Sequence, residues 1–204
     1  MPRPRSADRR DAILSAATHV VALQGLGAAT AVIAKEAGVS NGSLFVYFAT
    51  KTALLNELYV ALKTEMALAA VDGLPLDREP REQLLHMWNR WLRWAPSFPE
   101  KRRALSQLEV AEDITAESRH IVSTAFAGIA ELLERSRANG PMAEAPLGLV
   151  VSLISAIADA TTDAVLREPD QAEAHGRIAF DAAWRMLSSP APGPLSVTTS
   201  QELS

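Results

Sequence analysis

The chain has 204 residues, 48% of them apolar and 22% charged, which allows one large or two small domains with a substantial buried core. It contains no cysteine, and this excludes a disulfide scaffold, a thiolate zinc site and an iron–sulfur cluster. The net charge of −4 argues at first against a nucleic-acid partner, but the charge is unevenly spread. Residues 1–51 carry Arg3, Arg5, Arg9, Arg10, Lys35 and Lys51 against Asp8, Asp11 and Glu36, a net +3 that leaves −7 for the remainder. A positive N-terminal quarter on an acidic body is the asymmetry of a small nucleic-acid-binding head, although a short basic arm is more often only solvated. The basic opening MPRPRSADRR lacks the apolar region of a secretory signal. The longest apolar stretch, Leu147 to Ala158, is shorter than a bilayer span and is followed by Asp159. The expectation is a cytoplasmic protein with no membrane partner.

In chain order the patterning is helical throughout, with no run of period-two alternation. Ser6 or Asp8 starts a first helix with Ile13, Ala17, Val20, Val21 and Gln24 on one face and Gly25 at its end. Thr30 opens a short helix that carries Ile33, Ala34 and Ala37 and stops at Gly38. Another short helix follows Ser40 and runs to about Phe48. Thr50 then caps a longer one with Leu54, Leu55, Leu58, Leu62 and Met66 at 3–4 spacing. Beyond the break VDGLPLDREP, helices are predicted over about 81–94, 101–110, 116–137, 146–167 and 170–187. The last segment, 190–204, is rich in Pro, Ser and Thr and is expected to be a disordered tail. The fold class is therefore all-α, with about nine helices and no sheet.

The segment TAVIAKEAGVSNGSLFVYFATK holds the most specific local chemistry. Gly38 can adopt positive φ at a helix end, Val39 can pack beneath the turn, and Ser40 can accept a backbone N–H at the next helix start. Leu44 and Phe48, at i and i+4, can bury against Ile33 and Ala37. That spacing leaves Asn41, Gly42, Ser43, Phe45, Val46 and Tyr47 at the helix start or on its open face, with Lys51 supplying a cation just beyond. Large rings on an open face need a partner, and small residues at a helix N-terminus allow a phosphate backbone to approach. This is the layout of a helix-turn-helix reading helix, whose N-terminal side chains meet base edges in the major groove. Spacing alone also fits an ordinary helical hairpin with the rings in a core.

Residues 9 to about 66 closely resemble the DNA-binding domain of the TetR/AcrR family of bacterial transcription regulators. The shared pattern is a helix ending in GLGAAT, then IAKEAGVS, then G-S-L-F-x-Y-F-x-x-K-x-x-L. The resemblance implies a three-helix DNA-binding head over 8–68 and a ligand-sensing and dimerisation body over 69–189. It also implies DNA contacts at Thr30, Ser40, Asn41, Gly42, Ser43, Phe45, Val46, Tyr47 and Lys51. Many members have Tyr where this chain has Phe45 and a polar or basic residue where it has Val46. A hydroxyl contact is lost at the first position, and the second can touch a thymine methyl in place of a base hydrogen bond.

Past residue 66 the motifs thin. Trp88, Trp91 and Trp94 recur every third residue with Met87 beside them, a pattern that suits core packing as well as a pocket for planar or cationic ligands. TAVIA at 30–34, FATK, ELYVALK and WNRWLRW are also similar to the multidrug-sensing RamR-type repressors. That likeness implies a pocket among Tyr59, Lys63, Met66, Leu84, Trp88, Trp91, Val151 and Ile154, with Val151 standing where an acidic residue would serve a cationic drug. Leu147, Val150, Val151, Ile154, Ile157, Ala158, Thr161 and Val165, with Ile178, Ala182, Trp184, Met186 and Leu187, make two helices apolar around most of their girth. A second copy would cover the excess, and a two-fold dimer sets its reading helices about 34–36 Å apart on a palindromic operator.

Catalytic readings find little support. His19, His86, His120 and His175 are dispersed, and Glu117-x-x-His120 is one half of a di-iron motif whose second half is missing, so His120 is read as a surface residue. GLGAAT follows a helix and is no dinucleotide fingerprint. No catalytic residue, metal ligand or cofactor is expected. The function expected is a homodimeric repressor that binds double-stranded DNA and is released by a small lipophilic or amphipathic effector. The alternatives are a DNA-binding regulator without an inducer and, more remotely, a helical-bundle di-iron enzyme.

Overall fold

The computed structural model describes residues 5–188, and the expectations for Arg3 and for a tail over 190–204 lie outside them. Among the described residues there are ten α-helices and one 3-10 turn and no strand, as the periodicity requires. The helices are α1 (Arg5–Gln24), α2 (Thr30–Glu36), α3 (Asn41–Tyr47), α4 (Lys51–Val71), α5 (Pro80–Ser97), α6 (Pro99–Glu109), α7 (Ala116–Ala125), α8 (Ala127–Arg137), α9 (Leu147–Arg167) and α10 (Ala172–Ser188). The tenth helix comes from one segment. The stretch expected as a single helix over 116–137 breaks at Phe126, whose φ of −96° and ψ of 5° end α7 while its ring packs against the buried core.

Two compact units divide the chain. The first comprises residues up to 74 together with 86–128. In α1 the buried residues Ile13, Ala16, Ala17, Val20 and Val21 repeat at three-to-four spacing, so one stripe of the helix leaves water. It meets Ile33 and Ala34 of α2, Leu44 of α3, Leu54, Leu55, Leu58 and Leu62 of α4, and Ala104, Leu105 and Leu108 of α6 in one continuous core. Each such leucine contributes about 1.5–3 kcal/mol when fully buried. The Gln107 side chain, reaching from α6, donates to the carbonyl of Val21 at 3.1 Å and so occupies an acceptor in the last turn of α1. Because α6 and α7 pack on α1 and α4, residues 86–128 cluster with the N-terminal helices, a division by packing that differs from the expected boundaries of 8–68 and 69–189.

The second unit comprises 75–85 and, among the described residues, 129–188. Leu133, Val150 and Leu187 are buried there, with Leu84, Ile129, Met142, Leu147, Ile154 and Met186 packed around them. The chain passes so close at Gly140 that an added Cβ would overlap the backbone carbonyl of Leu187, and only glycine fits. The apolar stretch that begins at Leu147 continues as helix past Asp159 to Arg167. By length and composition α9 is thus long and apolar enough to cross a membrane, a test that core and interface helices of soluble bundles also pass.

Arg137 organises the turn before α9. It is 6% exposed and forks onto Glu134, with Nε to Oε2 and Nη2 to Oε1 both at 2.8 Å. Its Nη1 donates to the carbonyls of Met142, Ala143 and Ala145. The hydrogen bond from Arg137 holds the Glu134 carboxyl below the usual carboxylate range, and the same pair raises the guanidinium, which stays charged at every working pH. A depressed carboxylate stabilises the fold above its unfolded value, and that contribution is lost as pH falls through the folded value. Thermal melts from about pH 7 to about pH 2 should therefore show wild type losing stability in the acid range. Glu134→Gln should start less stable at neutral pH and lose less on acidification.

Candidate nucleic-acid interface

The turn between α2 and α3 has the expected construction. α2 closes at Ala37, and Gly38 takes φ +66°, a conformation that costs a residue with a Cβ about 1–2 kcal/mol. The Gly38 N–H donates to Lys35 O at 3.1 Å and that of Val39 to Ala34 O at 2.9 Å, so the helix end is satisfied while Val39 packs half-buried on the core. Ser40 then takes an extended ψ of 152°, and its Oγ accepts from the Ser43 N–H at 3.0 Å. Thr50 does the same for α4, accepting from the Ala53 N–H at 3.0 Å. The two hydroxyl caps set where α3 and α4 begin, and hence which side chains share a face.

On α3 the separation of faces is sharp. Leu44 and Phe48 are 0% and 1% exposed, whereas Val46 between them is 82% exposed and Phe45 41%. Asn41, Gly42 and Ser43 are exposed at the start of the helix, as is Ser40. Tyr47 is intermediate: its ring packs partly against the core and is less open than the spacing suggested. Thr30 is half-buried as the first residue of α2, and Lys51 is half-buried as the first residue of α4. The nine residues expected at DNA thus lie on α2, α3 and the caps and first turn around them.

Arg10 makes contacts within the first unit while remaining exposed. Its guanidinium lies 5.3 Å from the centre of the Phe48 ring and forms an ion pair with Glu57 on α4. This basic residue of the N-terminal quarter fastens α1 to the end of α3 and to α4. Nothing in the local sequence signals the contact, because its partners lie dozens of residues away.

The eight residues expected at an effector pocket divide between the units. Leu84, Val151 and Ile154 belong to the second, where Val151 is 42% exposed. In the first, Tyr59 is buried with the Arg119 guanidinium 5.9 Å from its ring centre, Trp88 is buried, and Met66 packs half-buried on the core. Lys63 is ion-paired with Glu109 and lies 6.0 Å from the Phe126 ring centre. Trp91 stacks on Trp94 with centroids 5.4 Å apart, and Trp94 meets Phe98 at 5.7 Å. Neither the Trp91 nor the Trp94 indole N–H has an acceptor among the described residues, although both nitrogens are buried. The helix was expected to end at about residue 94 but continues through Pro96 to Ser97, and the spacing gave no sign of the orphaned donors. A separate open cleft of about 440 Å³ is lined by Leu14, Leu58, Leu62, Phe98, Glu65 and Lys101, among others, and by none of the eight. Among the described residues no cluster of His, Asp and Glu could hold a metal, and His120 is exposed.

Comparison with known proteins finds similar chains. Residues 13–58 match the family described as bacterial regulatory proteins, tetR family. A solved structure from Shewanella sp. PV-4, described as a tetR family transcription regulator, is 27% identical with a TM-score of 0.77, over 86% of this chain and 96% of that one. A TetR family regulator from Marinobacter aquaeolei VT8 is similar in fold at 23% identity and a TM-score of 0.81, over 91% and 98%. LfrR from Mycobacterium smegmatis, solved in complex with proflavine, is likewise similar in fold at 21% identity and a TM-score of 0.61, over 86% and 94%.

The two faces of α3 make a paired prediction. Leu44→Ala should cost about 2–5 kcal/mol, whereas Val46→Ala, two residues on, should stay within about 0.5 kcal/mol. Urea denaturation of the two variants beside wild type measures both.

Proposed function

We propose that the chain is a TetR-family transcriptional regulator, a cytoplasmic homodimeric repressor whose residues 13–58 carry the family match. It reads a palindromic operator through α3 and leaves it when a small lipophilic or amphipathic effector binds. The observation that carries the DNA-reading assignment is the open face of α3. Val46 and Phe45 stay out in solvent while Leu44 on the same short helix and Phe48 directly after it are wholly buried. Asn41, Gly42 and Ser43 meet base edges and backbone at the helix start, Tyr47 and Lys51 hold phosphates, and Thr30 and Ser40 flank them. Phe45 and Val46 offer apolar contacts to thymine methyls, so the operator is read with fewer direct base hydrogen bonds than hydroxyl and amide side chains would make.

Dimerisation is supported by the second unit, where Leu149, Val151, Leu153, Leu166 and Ile178 leave large apolar side chains exposed. A two-fold pair of chains covers them and sets two reading helices about one turn of DNA apart. Gel-shift binding to the DNA immediately upstream of the protein's own gene tests the assignment. Wild type should bind specifically, and Ser43→Ala combined with Tyr47→Ala should weaken binding at least about tenfold. Unchanged affinity would remove α3 from the interface.

Effector control belongs to the same reading, with a coupling of about 1–3 kcal/mol shifting DNA affinity about 5–150-fold. In favour of it are the unpaired indole donors of Trp91 and Trp94, set in an aromatic ladder that suits a planar ligand. Tyr59, Lys63, Met66, Trp88 and Trp91 would serve such a molecule in the manner of the RamR-type repressors, with Leu84, Val151 and Ile154 as the further residues of that pattern. The burial of Tyr59 and Trp88 favours a second reading, in which these residues are core and the regulator has no inducer. Proflavine separates the two as a planar cationic probe. On the first reading it raises the melting temperature and releases the operator, and Trp91→Phe blunts both effects while binding operator normally without ligand. No shift with proflavine or with a panel of lipophilic compounds would favour the second.

A further inference from the structure

Asn56 is a buried amide, 8% exposed, in the second turn of α4, and the packing of apolar helices gives no reason for it to be there. All of its hydrogen-bonding capacity is used. Its Nδ2 donates to Thr52 O at 2.8 Å, within α4, and to Asp113 O at 2.7 Å, in the turn between α6 and α7. Its Oδ1 accepts from the backbone N–H of Thr115 at 2.9 Å and from the Thr115 hydroxyl at 3.1 Å. Thr115 is itself the cap of α7 and accepts from the Ser118 N–H at 3.2 Å. A single side chain therefore ties the first turns of α4 to the α6–α7 turn and to the start of α7.

The rest of the turn is tethered separately. Arg119, on α7, donates to the carbonyls of Glu109 and Ala111, each at 3.2 Å. Ala111 and Ile114 bury their side chains in the core that holds the α4 leucines. Thr52 adds a longer contact to Asp113 at 3.4 Å. On the other side, the start of α4 follows Phe48 and the Thr50 cap directly, so its position sets that of α3. An amide that donates and accepts in fixed directions tolerates one register of α4 against the turn, whereas apolar contacts tolerate sliding.

We propose that Asn56 is a positioning residue for DNA reading: it locks the base of α4, and through it the reading helix α3, to the α6–α7 turn. The inference rests on the DNA-reading assignment above and adds to it a specific residue, distant from DNA, that sets the presentation of α3. Loosening this lock lets α3 wander without unfolding the head. The α6–α7 turn is accordingly a point at which a change of state elsewhere in the first unit reaches the reading helix.

Asn56→Asp tests this, since it keeps the shape and the acceptor toward Thr115 but replaces the donor with an oxygen facing two carbonyls. The full-length protein is compared with wild type by amide hydrogen exchange and by gel shift on its own upstream DNA. The expected result is exchange about tenfold faster in residues 51–58 and 111–118, little change in the α1 core, and DNA affinity lower by about tenfold. Thr115→Ser, which keeps both donors to Asn56, should behave as wild type. If Asn56→Asp does not fold, Thr115→Val carries the test. Loss of the α7 cap alone speeds exchange only in residues 116–119, whereas loosening of the lock also speeds it in 51–58. Exchange that rises uniformly through the first unit, or stays unchanged in 51–58, overturns the proposal, as does faster local exchange with undiminished affinity. Should wild type itself fail to bind the upstream DNA, the regulator assignment falls, and the exchange pattern alone decides whether the lock exists.

Discussion

The first unit depends on the burial of one face of α4 against α1 and α6. Leu54, Leu55, Leu58 and Leu62 are almost completely removed from water, and residues of α1, α2, α3 and α6 join the same core. A helix shared in this way cannot shift without disturbing packing on several neighbours at once, because protein interiors are as dense as organic crystals. The short helices α2 and α3, of seven residues each, are far below the length at which a helix is stable alone, so they borrow their stability from this core. The open face of α3 is possible only because the other face is held so firmly.

Polar contacts decide what the leucines leave undetermined. Apolar surfaces attract one another without direction, so they fix proximity better than register. Register comes from the hydroxyl caps at Ser40 and Thr50, from Arg10 set against Phe48 and Glu57, and from Asn56 between α4 and the 113–115 turn. In the second unit Arg137 plays a comparable part, gathering three carbonyls and a carboxylate to fix the approach to α9. Asn56 and Arg137 are buried, where an unpaired amide or guanidinium is costly, and each has its partners.

Much of the candidate interface was legible because its grammar is short-range. Gly38, Ser40, Leu44 and Phe48 act on partners within a few residues or at helical spacing, so their roles follow from position in the chain. Tyr47 was misjudged in part, since how much of its ring the core covers depends on neighbouring elements and not on its place in the helix. The same limit applies at Phe126, where an apparently continuous helical pattern breaks because a ring is drawn into the core. The residues expected at an effector pocket were the least legible. Aromatic side chains at helical spacing serve a core and a pocket equally well, and only the unpaired indole donors of Trp91 and Trp94 distinguish this cluster from ordinary packing.

By itself, then, the sequence determined the helical class, the starts of α2, α3 and α4, and the division of α3 into a buried and an open face. These are local outcomes, governed by backbone dihedrals, capping and the 3.6-residue period. The tertiary structure alone decided that Arg10 reaches Phe48 and Glu57, that Asn56 reaches the α6–α7 turn, that Arg137 closes the turn before α9, and that α6 and α7 pack with the N-terminal helices. Those outcomes join residues far apart in the chain, and directional hydrogen bonds between distant segments exist only once a dense core has brought the segments together.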